Sequence, residues 1–514
     1  MSRFGLCAAI GVGIALSTSL GVARQVPFRT ATRLVEVHVI VTDRSRNPVE
    51  GLTRDEFAVH EDGVPQTISI FEVRDTRAPR PAAPAPEVRD EPGISGERSA
   101  RIRVSNQIED ASAARVVLVL DRVNAAFDSQ WFARRHIDAY LSRMGSGHSV
   151  ALYVLDGSGM RVLHDFSADA ASLRRALDVY QARVTGVYDA SMEPPAETGA
   201  DLGTVWIVDP STAVSDFFGR QRWLRTFRSL QTLARHLSGV AGRKNVVWAS
   251  EVFPIPTGRA GQDRAEFLEE MRKTTRALND AQASLYPVDA RGLMGAITYS
   301  RGRASFTTFD MVRGNMETME VVAEDTGGRA FTNTNALDVS ISRAVDDSRL
   351  SYVLGYYSTD TKTDGRYRTF RVEVKRKGLA VRHRAGYVAA APVLDRKARD
   401  AALRDALEGP LASTQVGLSA DLDYDKADST ITIGLRFDPG TVASIPASVD
   451  LLVAEIARTG KGTIIERAAA SAEALPLTLT VRVTPSLHEL RIVARDPASG
   501  RVGSLVIPAR TLSR

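Results

Sequence analysis

The chain has 514 residues, 44% of them apolar and 25% charged, with a formal net charge of +5. That is the profile of an ordinary folded protein with room for about three domains. Its bases are spread along the chain among acids, with no basic run interleaved with aromatics, so no nucleic-acid partner is expected. The single cysteine is Cys7, which leaves the rest of the chain without disulfides, thiolate zinc sites or a cysteine nucleophile.

The N-terminus opens with MSR and continues as the weakly apolar stretch FGLCAAIGVGIALSTSLGVA, with small residues at Gly21 and Ala23. This is the layout of a secretory signal peptide over residues 1–23, with cleavage expected after Ala23 and an exported product, periplasmic, cell-surface or secreted. No later stretch approaches the roughly 18 apolar residues of a membrane helix, so no transmembrane span is expected after its removal. Residues 30–75 read as β structure: Val35, Val37, Val39 and Val41 alternate, and EFAVHEDGVPQTISIFEV gives two strands joined at Glu61-Asp62-Gly63. Residues 76–113 contain the stretch APRPAAPAPEVRDEPGISGE and read as a Pro/Ala-rich linker.

From Ala114 the pattern alternates strand and helix. ARVVLVLD is an unbroken apolar run, as expected of a central parallel strand buried on both faces. Ile137, Tyr140, Leu141 and Met144 follow at helical spacing, then the strand SVALYVLD and a short edge strand, GMRVLHDF. The stretch from Thr185 to Phe217 has little periodicity and reads as loops, with a short strand at VWIV. Helices through Phe227 and Leu237 and through Phe267 and Leu278 alternate with the strands NVVWAS and SLYPVD, and GGRAF reads as a last strand. A helix capped by Asn335 closes the unit, which spans 114–348. Residues 349–390 return to strands, 395–408 read as a short connector helix, and 395–514 as a whole form an all-β, sandwich-like C-terminal domain.

VTDRSRNPVEGLTRDEFAVHEDGVPQTISIFE, RVVLVLDRVNAAF, VLHDFSADAASLRRAL, LSGVAGRKNVVWASEVF, LYPVDARGL and VAEDTGGRAFTNTNALDVSISRAVDDSRLSYVLGYYS together resemble, over roughly residues 33–388, the VWFA-related Acidobacterial family of von Willebrand factor type A proteins. The resemblance implies an α/β fold with a doubly wound, mostly parallel sheet at 114–348. Residues 30–75 and 349–390 are each about half a sandwich, so they are expected to pair and to carry the A-like domain as an insertion. The hybrid domain of integrin β chains is arranged in this way.

In von Willebrand A domains a metal-ion-dependent adhesion site binds Mg²⁺ through Asp-x-Ser-x-Ser, a Thr and a second Asp, all hard oxygen ligands. Here Asp121 stands at the first position, but Val123 and Ala125 replace both serines. Asn124 and Glu251 are the remaining metal candidates, and Thr204, Ser211 or Thr212 would have to supply the threonine. The motif is degenerate, so no cofactor is expected and Mg²⁺ is the minority reading. Asp156-Gly157-Ser158-Gly159 looks similar but precedes a strand, and reads as a hairpin turn. Asp325-Thr326-Gly327-Gly328 ends a helix and has no second copy, unlike an aspartic-protease pair.

The eight histidines are scattered, and there is no Gly-x-Ser-x-Gly elbow or phosphate-binding loop, so no enzyme is expected. The expected function is a protein-interaction or cell-adhesion module binding another extracytoplasmic protein through Asp121, Asn124, Asp128, Ser250 and Glu251, without metal. The alternatives are an extracytoplasmic enzyme with a site at 185–217, or an envelope-assembly scaffold docking through the C-terminal domain.

Overall fold

Val35, Val37, Val39 and Val41 are all buried along the first strand, β1 (Leu34–Thr42), as a strand with one face in a core requires. The structure is a computed structural model that describes residues 34–75, 102–107, 114–145, 148–180, 210–240, 242–253, 261–292, 306–347, 349–360, 362, 364, 366–389, 403–409, 411–437, 448–459, 462–471, 477–497 and 500–512. The expected signal peptide, most of the expected linker and the VWIV strand lie outside these residues. So do Cys7 and Thr204. A 3₁₀ turn at Arg54–Glu56, closed by a capping box between Thr53 and Glu56, leads into β2 (Phe57–Glu61). Asp62 and Gly63 then take positive φ values of 46° and 83°, which makes the tight turn into β3 (Val64–Gln66), and β4 (Ile68–Asp75) follows.

The next strand corrects the linker reading. Ile102–Ser105 forms β5, whose short apolar content, Ile102 and Val104, is too slight to register as a period against the Pro-rich stretch before it. It pairs antiparallel with a strand more than 300 residues away, and Arg103 meets Asp421 there at 2.9 Å.

The α/β unit contains β6 (Ala114–Asp121), α1 (Phe127–Leu141), β7 (His148–Asp156), β8 (Gly159–Ser167) and α2 (Ala170–Asp178). It continues through α3 (Pro210–Leu237), β9 (Lys244–Ser250), α4 (Gly261–Asp280), β10 (Ala283–Asp289), α5 (Phe306–Asp325) and α6 (Leu337–Asp346). The strand order is β10-β9-β6-β7-β8, parallel throughout except that β8 runs antiparallel to β7. Val117 and Val119 face one core with Trp223, Phe227, Leu230, Phe267 and Met319. Val116, Leu118 and Leu120 face the other with Ile137, Leu141, Leu173 and Ile341. One unbroken apolar strand therefore serves two helical layers.

Three local expectations are corrected. The stretch read as loops up to Phe217 becomes helix from Pro210, since proline fits a first helical turn. The helix after Asn335 is capped by Ala336, whose N–H donates to the Thr334 hydroxyl. GGRAF adds only an isolated bridge, Phe331 to Val288. Gly328 passes so close to β10 that a Cβ would lie 2.0 Å from the Leu285 carbonyl oxygen, which leaves that position to glycine.

After the unit come β11 (Leu350–Tyr357), β12 (Tyr367–Val374), β13 (Ala380–Arg382) and β14 (Gly386–Val388). β1 pairs with β11 and β13, and β2 pairs with β12, so strands from both sides of the α/β unit share two four-stranded sheets, β13-β1-β11-β4 and β14-β12-β2-β3. Phe57, Val59, Tyr352, Leu354 and Phe370 fill the space between them. A helix over 403–408 precedes β15 (Leu418–Asp425), β16 (Thr430–Phe437), β17 (Ser448–Ile456), β18 (Gly462–Ser471), β19 (Leu477–Arg482), β20 (Glu489–Arg495) and β21 (Val502–Pro508). These form two further sheets, β19-β16-β15-β5 and β18-β17-β20-β21. The described residues are thus a mixed α/β protein with five β-sheets, one of them mixed and mostly parallel.

Two buried polar knots hold the layers. Glu61 accepts from the hydroxyls of Tyr356 and Ser358 at 2.7 Å each and of Tyr387 at 3.1 Å, with the Arg368 guanidinium 3.9 Å away. Replacing Glu61 by Ala removes the acceptor of the buried Tyr356 and Tyr387 hydroxyls, while Arg368 keeps Asp360 and Ser358 keeps the Asp360 carbonyl. The expected cost is about 2–4 kcal/mol, read as a lowered urea midpoint. A loss under about 1 kcal/mol would mean that the network is dispensable.

His236, near the end of α3, donates from Nδ1 to the Ala412 carbonyl at 2.7 Å and accepts the Tyr153 hydroxyl at Nε2, 2.9 Å. Burial holds its pKa below the ordinary 6.5, against the opposing pull of the Ala412 bond and Asp165. A folded value below the unfolded one gives stability that is fully present above the unfolded pKa and lost as pH falls below it. His38, His148 and His383 are shifted in the same direction, each chiefly by burial. The melting temperature should therefore fall between about pH 7 and about pH 5, and His236→Asn should flatten part of that slope. An unchanged slope in the variant would remove His236 from the account.

Candidate interaction edge at the Asp121 loop

β6 delivers Asp121 at the C-terminal edge of the parallel sheet, where the chain leaves the strand and turns into α1. Asp121 is only 1% exposed. Its Oδ1 accepts from the backbone N–H groups of Val123 and Asn124, both at 2.8 Å. Its Oδ2 accepts from Asn124 Nδ2 at 2.7 Å, Ser250 Oγ at 2.9 Å and Trp248 Nε1 at 3.0 Å. Burial raises the pKa of this carboxyl above its usual value, and the bonds from Asn124, Ser250 and Val123 pull against that rise.

Five donors on two oxygens occupy the roughly four lone-pair directions of a carboxylate. The donor set does not fit Mg²⁺. An indole N–H, an amide N–H₂ and two backbone N–H groups converge where an ion would need oxygen ligands. Val123 and Ala125 are buried and point into the fold, while Asn124 turns its Nδ2 to Asp121 and to Thr226 Oγ1 at 2.9 Å. Glu251 accepts the Ala126 N–H at 2.8 Å and so caps the start of α1 with a negative charge, favourable against the helix dipole. Among the described residues no three His, Cys, Asp or Glu side chains form a metal-sized group.

Three of the five residues expected to touch a partner are corrected by their burial. Asp121, Asn124 and Ser250 are each 1% exposed or less and bond one another, with Asn124 Oδ1 buried and without a partner among the described residues. Ser250 donates to Asp121 and also lies 3.0 Å from the Val252 carbonyl. Asp128, in the first turn of α1, is exposed, and Glu251 is half-buried. Ser211 and Thr212 fall in the first turn of α3, where side chains lie outside the described residues.

Trp248 and Thr226 were not anticipated as parts of this site. Trp248 and Ser250 lie two residues apart in NVVWAS and so share a face of β9, a signal available in the sequence. Thr226 offers none, since it meets Asn124 only through packing of α3. Two exposed aromatics were also missed. Phe127 and Trp131 lie one turn apart on α1, 47% and 52% exposed, away from its buried stripe of Ala133, Ile137 and Tyr140.

Asp156-Gly157-Ser158-Gly159 closes the β7–β8 hairpin at the same edge. Burial opposes ionisation of Asp156, yet Ser158 and Arg161 hold its pKa below the usual carboxylate value.

No family model and no curated protein matches the chain. Among solved structures it is similar to the crystal structure of the SpRpn10 VWA domain, at 8% identity and a TM-score of 0.17, over 34% of this chain and 87% of that one. A likeness of that size carries no argument about the site.

Replacing Asp121 by Ala leaves Trp248 Nε1 and the Val123 and Asn124 N–H groups without their acceptor, while Ser250 keeps the Val252 carbonyl and Asn124 Nδ2 keeps Thr226. The change should cost about 3–5 kcal/mol. Asp121→Asn should also destabilise, because an amide N–H₂ would face the Trp248 and Ser250 donors. Excess Mg²⁺ should leave the wild-type melting temperature unchanged. A rise with Mg²⁺ that Asp121→Ala abolishes would overturn internal saturation of the carboxylate.

Proposed function

We propose that residues 114–348 form a von Willebrand A-like domain inserted into a β-sandwich made by residues 30–75 and 349–390. We further propose that the exported protein uses the C-terminal edge of this domain's sheet to bind another extracytoplasmic protein, without metal and without catalysis. The expected signal peptide and the family resemblance supply the cellular setting of this reading. One observation carries the rest. Phe127 and Trp131 stand exposed at the rim of a loop whose own polar groups are turned inward. Large exposed aromatics beside a rigid rim are the side chains that supply most of the energy at protein interfaces. Asp128 and Glu251 add negative charge beside them, which steers encounter and sets orientation more than it adds affinity.

The test is capture of partners from envelope extract by the immobilised full chain, compared with a Phe127→Ala/Trp131→Ala double variant whose melting matches the wild type. The expected outcome is a discrete captured protein that the double variant retains at least about tenfold less. Equal capture by both, or none by either, would sink this reading.

A further inference from the structure

The β7–β8 turn faces α3 across a cavity of about 250 Å³, lined by Gly157, Ser158 and Gly159 from the turn. Its lining is mostly polar, with Gln221, Ser229 and Thr232 contributed by α3, and Met160 and Leu224 lie almost wholly buried beneath it. Arg225 and Arg228 line it one helical turn apart on α3, and Ser158 lines it from the turn. Arg225 reaches over the turn, with Nη1 3.9 Å from where a Cβ on Gly157 would stand. Glycine there leaves the guanidinium room to lie across the backbone.

The nearby carboxylate does not neutralise these arginines. Asp156 spends its oxygens on the Ser158 N–H and hydroxyl and on Arg161, 2.8 Å away. Arg225 and Arg228 have no hydrogen-bond or ion-pair partner among the described residues, whereas Arg220, on the same helix, is paired with Glu266. Arg225 is half-buried, so its charge is less screened than that of a fully exposed arginine. Two unspent guanidiniums over a polar recess form a receptor for a carboxylate.

We propose that this cavity takes an acidic side chain of the partner polypeptide, its carboxylate held by Arg225 and Arg228. The inference rests on the edge-binding reading above and names the chemistry of the partner. Thr226 adjoins Arg225 and holds Asn124 of the Asp121 loop, so the cavity belongs to the same edge. At about 250 Å³ it suits one or two side chains, below the range of drug-sized ligand pockets.

The test uses the full chain and a dye-labelled peptide of alternating Glu and Leu, with its Gln-for-Glu counterpart, followed by fluorescence anisotropy. The acidic peptide should bind at least about tenfold tighter than the Gln peptide, and weaken as salt rises. Arg225→Ala/Arg228→Ala should remove that preference, Arg225→Lys/Arg228→Lys should keep part of it, and Phe127→Ala/Trp131→Ala should leave it intact. Equal affinity for the two peptides, or an Arg225→Ala/Arg228→Ala variant of wild-type melting that binds like the wild type, overturns the proposal. Displacement by inorganic phosphate as effective as that by unlabelled peptide also overturns it, leaving a site for small anions only. If the arginine preference fails while the aromatic variant still loses its captured partner, this inference alone falls. If the preference holds and that capture shows no difference, the aromatic edge reading falls by itself.

Discussion

A carboxylate cannot be buried at the end of a parallel strand unless its charge is met by donors from every side. Asp121 meets that condition through Val123, Asn124, Trp248 and Ser250, and the arrangement of the whole edge depends on it. The backbone donors fix the loop after β6, and the Trp248 and Ser250 donors tie that loop to β9. Asn124 extends the tie to α3 through Thr226, and Glu251 extends it to α1 through Ala126. A bound cation would draw the same loops together by gathering their oxygens. Here N–H and O–H donors do so, and the polar groups they satisfy are no longer available to a ligand.

The same rule recurs at other joints in the molecule. Glu61 lies between the two sheets that the flanking strands share and is met by three hydroxyls, with Arg368 near. At the opposite edge of the parallel sheet the buried charges are basic and are met by carbonyl oxygens. Lys244 Nζ bonds Val240 O at 2.7 Å, while burial, with Arg115 and Arg384 near, lowers its pKa well below the ordinary value. Arg384 bonds Asn279 O and Glu36 O, and so bridges α4 to β1. Thr414 ties the C-terminal sheets to the end of α3, accepting from Gly239 N and donating to His236 O. Apolar packing sets the layers, and these directional bonds set how the layers are placed against one another.

The strands and helices of the α/β unit were largely legible because each carries a period of its own. ARVVLVLD is apolar at every position from Val116 to Leu120 because both of its faces are covered, and DGSG reads as a turn because a strand follows it. The features that the sequence misplaces lack a local period. β5 has two apolar residues and depends on β15 for its existence. GGRAF reads as a strand but contributes a single bridge at Phe331, whose place depends on how closely Gly328 can approach β10. The site shows the same division. The loss of ligands at Val123 and Ala125 is visible in the sequence, but what replaces them is not. Thr226 lies about a hundred residues from Asn124, and nothing in its neighbourhood marks it as a partner.

The pre-tied loop bears on recognition through entropy. A flexible loop must be ordered when it binds, at a cost of roughly 0.5–1.5 kcal/mol for each immobilised side chain. The Asp121 loop is held by its own hydrogen bonds, so on the proposed reading that cost falls on folding and not on binding. The spacing between α1 and α3 is fixed in the same way, because Asn124, just before α1, is bonded to Thr226 on α3. Phe127 and Trp131 on one side and Arg225 and Arg228 on the other are then carried on helices tied to a common loop. Selectivity on such an edge comes from the distance a partner must span between an apolar and an acidic anchor. A partner with the right groups at the wrong separation would gain only one of them, and the loop could not adjust to supply the other.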